Sequence, residues 1–249
     1  MSVDIHGPRI FFTSPVLGGI PITATIINSL LVTLAIFALC VFLTRNLQVR
    51  AVSKRQVVAE FLVEKAQNFV NGNMGERFSY YGPLVAALFA SSLLSSLLSL
   101  VGLFPPTSDL NTTLAWALMV FVLITYNKMR AGGVGGYLKG FTQPIPVLTP
   151  FNILSELATP ISMAFRHFGN IVSGSVITAL VYAALAAGSA ALFGLLPGAL
   201  GDVFSGIPLL QLGIPAILSI YFDLFSSFMQ AFIFCMLTTL YIANAAAEE

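Results

Sequence analysis

Five long apolar blocks dominate the chain, at about Pro21–Thr44, Tyr81–Phe104, Leu110–Tyr126, Phe151–Leu196 and Ile207–Ala245. None alternates strictly between apolar and polar positions, so the pattern predicts helices and not the strands of a barrel. The first three are close to the ~20 residues that cross a bilayer as a helix. The last two are about twice as long. A helix of ~40 residues extends ~60 Å, against a ~30 Å hydrocarbon core. Each must therefore break in two or lie steeply tilted, and Gly188 and Gly194 offer an early end to the fourth. Between the first two blocks, Lys54–Gly72 carries Val57, Val58, Phe61, Leu62, Ala66 and Phe69 on one helical face, while Arg55, Glu60, Glu64 and Lys65 fall mostly elsewhere. That pattern predicts an amphipathic helix on the membrane surface.

Composition agrees with the pattern. Of 249 residues, 57% are hydrophobic and 8% charged, against about 25% charged in soluble domains. The mean hydropathy is +0.91. These values predict an all-α integral membrane protein, a single domain over 1–249, with no nucleic-acid partner. Residues 1–20 lack a basic stretch before an apolar core, which argues against a cleaved signal peptide. Cys40 and Cys235 both fall in apolar blocks and read as buried small hydrophobes, with no disulfide framework or metal site. Ser91, Ser92, Ser95, Ser96 and Ser99 form adjacent stripes on the second block, a pattern that lets membrane helices approach closely. A polar pore lining is the alternative. Gly132-Gly133-Val134-Gly135-Gly136 lacks the Gly-Lys-Ser/Thr ending of a phosphate loop and follows a membrane helix, so it reads as a flexible connection. The chain contains no nucleotide-binding motif, and no cofactor is expected.

The basic residues set the orientation. Arg45, Arg50, Lys54, Arg55, Lys65 and Arg77 lie between blocks one and two, and Lys128, Arg130 and Lys139 between blocks three and four. The other two connections carry none. The positive-inside rule makes the basic side cytoplasmic, which places the N-terminus outside and the C-terminus inside.

Three ionisable residues fall where lipid should exclude them: Glu156, Arg166 and Asp223. An arginine at the centre of a span costs at least ~2.5–3.5 kcal/mol on insertion scales. Its guanidinium cannot shed a proton to escape that cost. Such residues face a protein interior or a watery cavity and mark ion paths, the alternative being a paired arginine that holds two helices together. Glu156 lies ten residues before Arg166, ~15 Å nearer the cytoplasm. Asn170 is one turn beyond Arg166 on the same face. Ser175 is ~13 Å beyond it toward the outside. In block five Asp223 precedes Gln230 by two turns. An antiparallel hairpin then sets Gln230 opposite Arg166 and Asp223 opposite Ser175, with an acid on each side of a fixed cation.

These residues resemble a known family. Phe165-Arg166-His167-Phe168-Gly169-Asn170 is similar to the Arg-Leu-Phe-Gly-Asn signature of subunit a of F-type ATP synthases, and Gln230-Ala231-Phe232-Ile233-Phe234 resembles that family's last-helix motif. Pro160-Ile161-Ser162 also fits, and the resemblance covers nearly the whole chain. It implies five spans plus one surface helix: an N-terminal extracytoplasmic segment (1–20), a first span (21–44), the surface helix (54–72), a helical hairpin (81–126) and a long tilted hairpin (150–247) against a ring of c subunits. The further partners implied are the peripheral-stalk subunit b and the lipid bilayer.

The family's essential arginine matches Arg166, its asparagine Asn170 and its glutamine Gln230. Two half-channels would carry protons, or alternatively sodium ions, to and from the ring. Ser175 and Asp223 match a pair of outer-channel positions, where the serine departs from the glutamate of some members and leaves Asp223 as the outer acid. Glu156 is assigned to the inner half-channel by a looser match. His167 replaces the usual leucine and reads as packing or local hydrogen bonding, with a proton relay as the alternative. The chain itself would be non-catalytic and bind no nucleotide. Its short N-terminus and compact length point to a bacterial plasma membrane. A self-contained channel or secondary transporter is the rival reading. The chain shows no obvious inverted repeat or matched pair of broken helices to support it. A structural scaffold, with Arg166 as helix glue, is a second rival.

Overall fold

The computed structural model describes residues 7–14, 19–49, 53–193, 218 and 220–247. Among the described residues, five helices are long and apolar enough to cross a membrane. The chain opens with a small antiparallel pair, β1 (Ile10–Ser14) and β2 (Ile20–Thr23), in which Thr13 faces Pro21 and Ser14 faces Ile20. This hairpin takes the residues before Ala24 into extended pairing, so the first helix, α1 (Ala24–Thr44), starts three residues later than the apolar block. Helix α2 (Lys54–Met74) follows, with the Ser53 side chain accepting from the Gln56 N–H at its start. A 3₁₀ turn over Glu76–Tyr81 leads into α3 (Gly82–Leu97). Helices α4 (Leu110–Gly140) and α5 (Thr149–Phe193) come next. A π-helical turn (Ile220–Phe225) opens the last helix, α6 (Ser226–Ala247). Residues 194–217 and 219, which include the first part of the fifth apolar block and the connection between α5 and α6, lie outside the described residues.

Two details depart from the sequence reading. Gly132–Gly136 is not a loop: α4 runs through it to Gly140 and kinks at Gly133, whose φ of 69° only glycine adopts freely. Cys235 is buried, but Cys40 is exposed on α1, because that helix packs a narrow edge formed by Ala24, Thr25, Asn28 and Val32 and turns the rest outward. In α2, Val57, Val58, Phe61 and Leu62 stay about half exposed, and the protein contacts come instead from Gln56, Val70 and Met74. The apolar stripe of α2 is thus free for lipid, as an interfacial helix requires.

Helices α3, α4, α5 and α6 share one core, joined by the end of α2. Val85 and Leu88 (α3), Ala117, Val120 and Ile124 (α4), Met163 and Ala164 (α5), and Phe234, Cys235 and Ile242 (α6) meet there. Ala117, Ala164, Ala231 and Ser92 are fully buried, so small side chains sit at the closest approaches. This is the usual solution where lipid offers no hydrophobic drive between helices. Polar side chains bind the elements together. Asn28 donates to the Phe104 carbonyl at 2.8 Å, fixing α1 to the loop before α4. Buried Asn127 donates to the Tyr81 hydroxyl at 2.8 Å, fixing α4 to the start of α3.

Candidate functional site

Helix α5 has 45 residues, so it is ~67 Å long at 1.5 Å per residue. It passes Gly188 and carries Pro160 internally without ending. Proline removes one ladder bond, here the one that would reach the Glu156 carbonyl. One face of α5 packs on α4 and α6. The other presents Leu154, Leu157, Ile161 and Phe165, all about half exposed or more. Arg166 and Asn170, one turn apart, are exposed too; Arg166 sits at the edge of that open side, about 100° round the helix from Phe165. Among the described residues no side chain or carbonyl pairs with the Arg166 guanidinium.

His167 is one residue on, so it points ~100° away into the bundle. It is fully buried. Its Nε2 is hydrogen-bonded to Ser92 Oγ at 3.2 Å, and its ring packs edge-on to Trp116 (5.8 Å) and Phe234 (5.5 Å). Three neighbouring helices therefore grip this side chain. The contacts are those of a packing residue that fixes the rotation of α5, and that rotation aims Arg166 outward.

Helix α6 brings the second set. Asn170 Nδ2 donates to Ser226 Oγ at 2.8 Å and lies 3.5 Å from Gln230 Oε1. Gln230 is buried, and Ser226 is one turn before it on the same face. A cluster of Asn170, Ser226 and Gln230 thus lies beside Arg166. Gly174 lies against Phe222, and a Cβ built at Gly174 would sit 3.7 Å from that ring. The two helices therefore run past one another with Asn170 level with Ser226–Gln230.

Asp223 lies in the π-helical turn. Such turns re-aim side chains and concentrate at functional sites. Ser99 Oγ lies 2.9 Å from the Ser96 carbonyl and 3.4 Å from Asp223 Oδ1 and shares its one hydrogen between them, which ties the 3₁₀ turn after α3 (Leu98–Val101) to this turn. Ser175 is exposed on α5 and donates to its own helix, at the Val172 carbonyl.

Glu156 does not share the open face. Ten residues amount to about 280° of rotation from Arg166, which turns Glu156 toward α4. There its Oε2 accepts from Lys128 Nζ at 2.8 Å, with each side chain about one-fifth exposed or less. Its Oε1 is buried with no hydrogen-bond partner among the described residues. The pair borders a cavity of about 120 Å³ shared with Thr159, Tyr241 and Asn244, room for several waters.

Sequence reasoning missed four contributors. Lys128 counted only toward orientation, because nothing in the primary structure reveals that it points inward. Ser226 carried a signal, being one turn before Gln230. Ser99 belonged to the serine stripe; its neighbours Ser92, Ser95 and Ser96 are buried packing residues, but Ser99 itself reaches the acid. Trp116 has no local signal.

The model of the family described as ATP synthase A chain matches residues 26–243. A protein named ATP synthase subunit a from Desulforamulus reducens is 34% identical over 208 residues, covering 83% of this chain and 72% of that one. One named ATP synthase subunit a 1 from Crocosphaera subtropica is 30% identical, covering 90% and 87%. One from Propionigenium modestum, named ATP synthase subunit a, sodium ion specific, is 29% identical, covering 98% and 86%. With its spanning helices and a family match that runs from α1 to α6, the chain belongs to the ATP synthase subunit a family, integral membrane subunits of the ATP synthase membrane sector.

Proposed function

We propose that the chain forms two aqueous half-channels on either side of Arg166, and that the open face of α5 meets a ring of c subunits whose carboxylates carry the ion. The observation that carries this reading is Arg166 itself: a fixed cation exposed on α5, with no other charged side chain on the exposed side of that helix, beside the Asn170–Ser226–Gln230 cluster. A structural role as helix glue would need a partner within the bundle, and among the described residues none pairs with it.

A ring carboxylate must be neutral to face lipid. At ~4 Å and an effective dielectric of ~20, Arg166 would favour its charged form by about 4 kcal/mol, a thousandfold bias toward releasing a bound ion. The ion leaves to the basic side, which the charge asymmetry makes cytoplasmic, by a path in which the Glu156–Lys128 cavity takes part. The next ion enters past Asp223 and Ser175. Asn170, Ser226 and Gln230 fasten α5 to α6 one turn from Arg166 and so set the depth of the arginine, whose charge prevents a cation from passing directly between the channels. Each charge that crosses the whole potential supplies ~2.3 kcal/mol per 100 mV. The transported ion is the proton in this reading. Sodium is the alternative, motivated by the sodium-specific name of one relative, and sodium-dependent pumping would select it. Subunit b is expected to hold the chain against the torque.

Cysteine cross-linking tests the face. With Cys40 replaced by serine, Ile161→Cys and Phe165→Cys should form disulfides with cysteines placed near the ring carboxylate. Met163→Cys, which is buried, should not. Cross-links from residue 163 with none from 161 or 165 would reject the arrangement.

A further inference from the structure

A second polar cavity lies at the basic end of the bundle, away from Arg166. It has a volume of about 330 Å³ and is lined by Arg77, Phe78, Tyr80, Asn127, Arg130 and Ala246 among others. No carboxylate lines it among the described residues. Arg77 is held in place: one Nη2 hydrogen donates to the Ala246 carbonyl at 3.1 Å, and the guanidinium stacks 4.7 Å over Phe78. Its remaining N–H groups are free to donate. Arg130 on α4 has no hydrogen-bond or ion-pair partner among the described residues, because Glu156 is taken by Lys128 on another side of the helix. Asn127 spends both amide hydrogens on Tyr81 and the Leu123 carbonyl, so it shapes the floor and leaves donation to the arginines.

We propose that this cavity binds the phosphate headgroup of an anionic phospholipid, gripped between Arg77 and Arg130. Two guanidinium forks converging on one space suit a phosphodiester, which accepts bidentate bonds. Free inorganic phosphate has the same acceptor chemistry. The surroundings select the lipid. Tyr126, Val122 and Leu118 precede Arg130 at intervals of four on α4, and each is about half exposed or more. They form an apolar track leading from the cavity toward the membrane interior, along which an acyl chain can lie. Tyr80 and Tyr126, both more than half exposed, mark the interfacial level at which headgroups sit. Basic pockets between membrane helices on the cytoplasmic side are the recurring form of such sites.

The test titrates phosphatidylglycerol into the delipidated, purified ATP synthase complex in detergent and counts bound lipid by native mass spectrometry. Arg77→Gln and Arg130→Gln should each raise the half-saturating lipid concentration about fivefold, and the double variant about thirtyfold, from ~1 kcal/mol per arginine near a headgroup. Phosphatidylcholine should not occupy the site. Adding inorganic phosphate at tens of millimolar should not displace the lipid, since free phosphate gains nothing from the apolar track. Neutralising the two acids that follow Ala247 in the sequence (Glu248→Gln, Glu249→Gln) should leave binding equal or tighter. Unchanged binding in the double arginine variant, equal binding of phosphatidylcholine, ready displacement by phosphate, or weaker binding after neutralising the C-terminal acids would each overturn the proposal. Where the double variant does not assemble, Val122→Asp, on the lipid track and outside the bundle core, should weaken lipid binding and leave assembly intact; full binding in that variant contradicts the assignment.

Discussion

Replacing Lys128 by methionine removes the positive partner of a carboxylate that is largely out of water. At 2.8 Å and an effective dielectric of ~20, the gross attraction is about 6 kcal/mol. Desolvation of both ions offsets much of it. A fully buried pair that loses one member is destabilised by about 3–5 kcal/mol. Both side chains here retain about one-fifth of their exposure or less, so a loss of about 2–4 kcal/mol is expected. Glu156 would also keep its orphaned Oε1 and gain a second unsatisfied oxygen. The assay is a double-mutant cycle on the assembled membrane sector, read as thermal inactivation of ATP-driven pumping. Lys128→Met and Glu156→Gln should each lower the inactivation temperature by several degrees. The double variant should recover most of it, because two neutral groups of similar shape leave no stranded charge. Additive losses in the double variant, or a Lys128→Met complex as stable as the parent, would refute the claim that this pair joins α4 to α5.

Asp223→Asn should slow ion entry and lower ATP synthesis by about tenfold, with partial rescue by Ser175→Glu; synthesis at unchanged rates, measured in inverted vesicles, would remove Asp223 from the path. His167→Ala should cost about 3 kcal/mol through the cavity it leaves, seen as reduced subunit in membranes. Pumping per assembled complex should nevertheless stay near normal, and a complex that assembles fully but does not pump would make His167 a relay instead of a packing residue.

Much of this architecture was legible because membrane helices obey a coarse rule. Apolar length alone located five spans, and Arg166 and Asn170 share a face simply because they are one turn apart. The hairpin β1–β2 was not legible, since Ile10–Ser14 is too short a run to distinguish from an irregular leader. Nor was the continuation of α4 through Gly132–Gly136: glycine lowers helix propensity, but α4 carries on with a kink confined to Gly133. Tertiary partnerships were the main loss. Glu156 and Lys128 are 28 residues apart, and no local pattern tells which of Lys128 and Arg130 turns inward. Ser99 looked like its stripe neighbours because only the π-helical turn brings Asp223 to it. The exposure of Cys40 follows from how little of α1 is packed, which hydropathy cannot report.

Arg166 remains the hinge of the account, and its replacement is the most direct test. ATP-driven ion pumping and ATP synthesis should be measured in membrane vesicles carrying Arg166→Ala, with ATP synthase content matched to the parent. The account predicts loss of both coupled activities in fully assembled complexes, because no other fixed cation lies on the open face of α5 among the described residues. Pumping and synthesis at near-parental rates in the Arg166→Ala complex would contradict it.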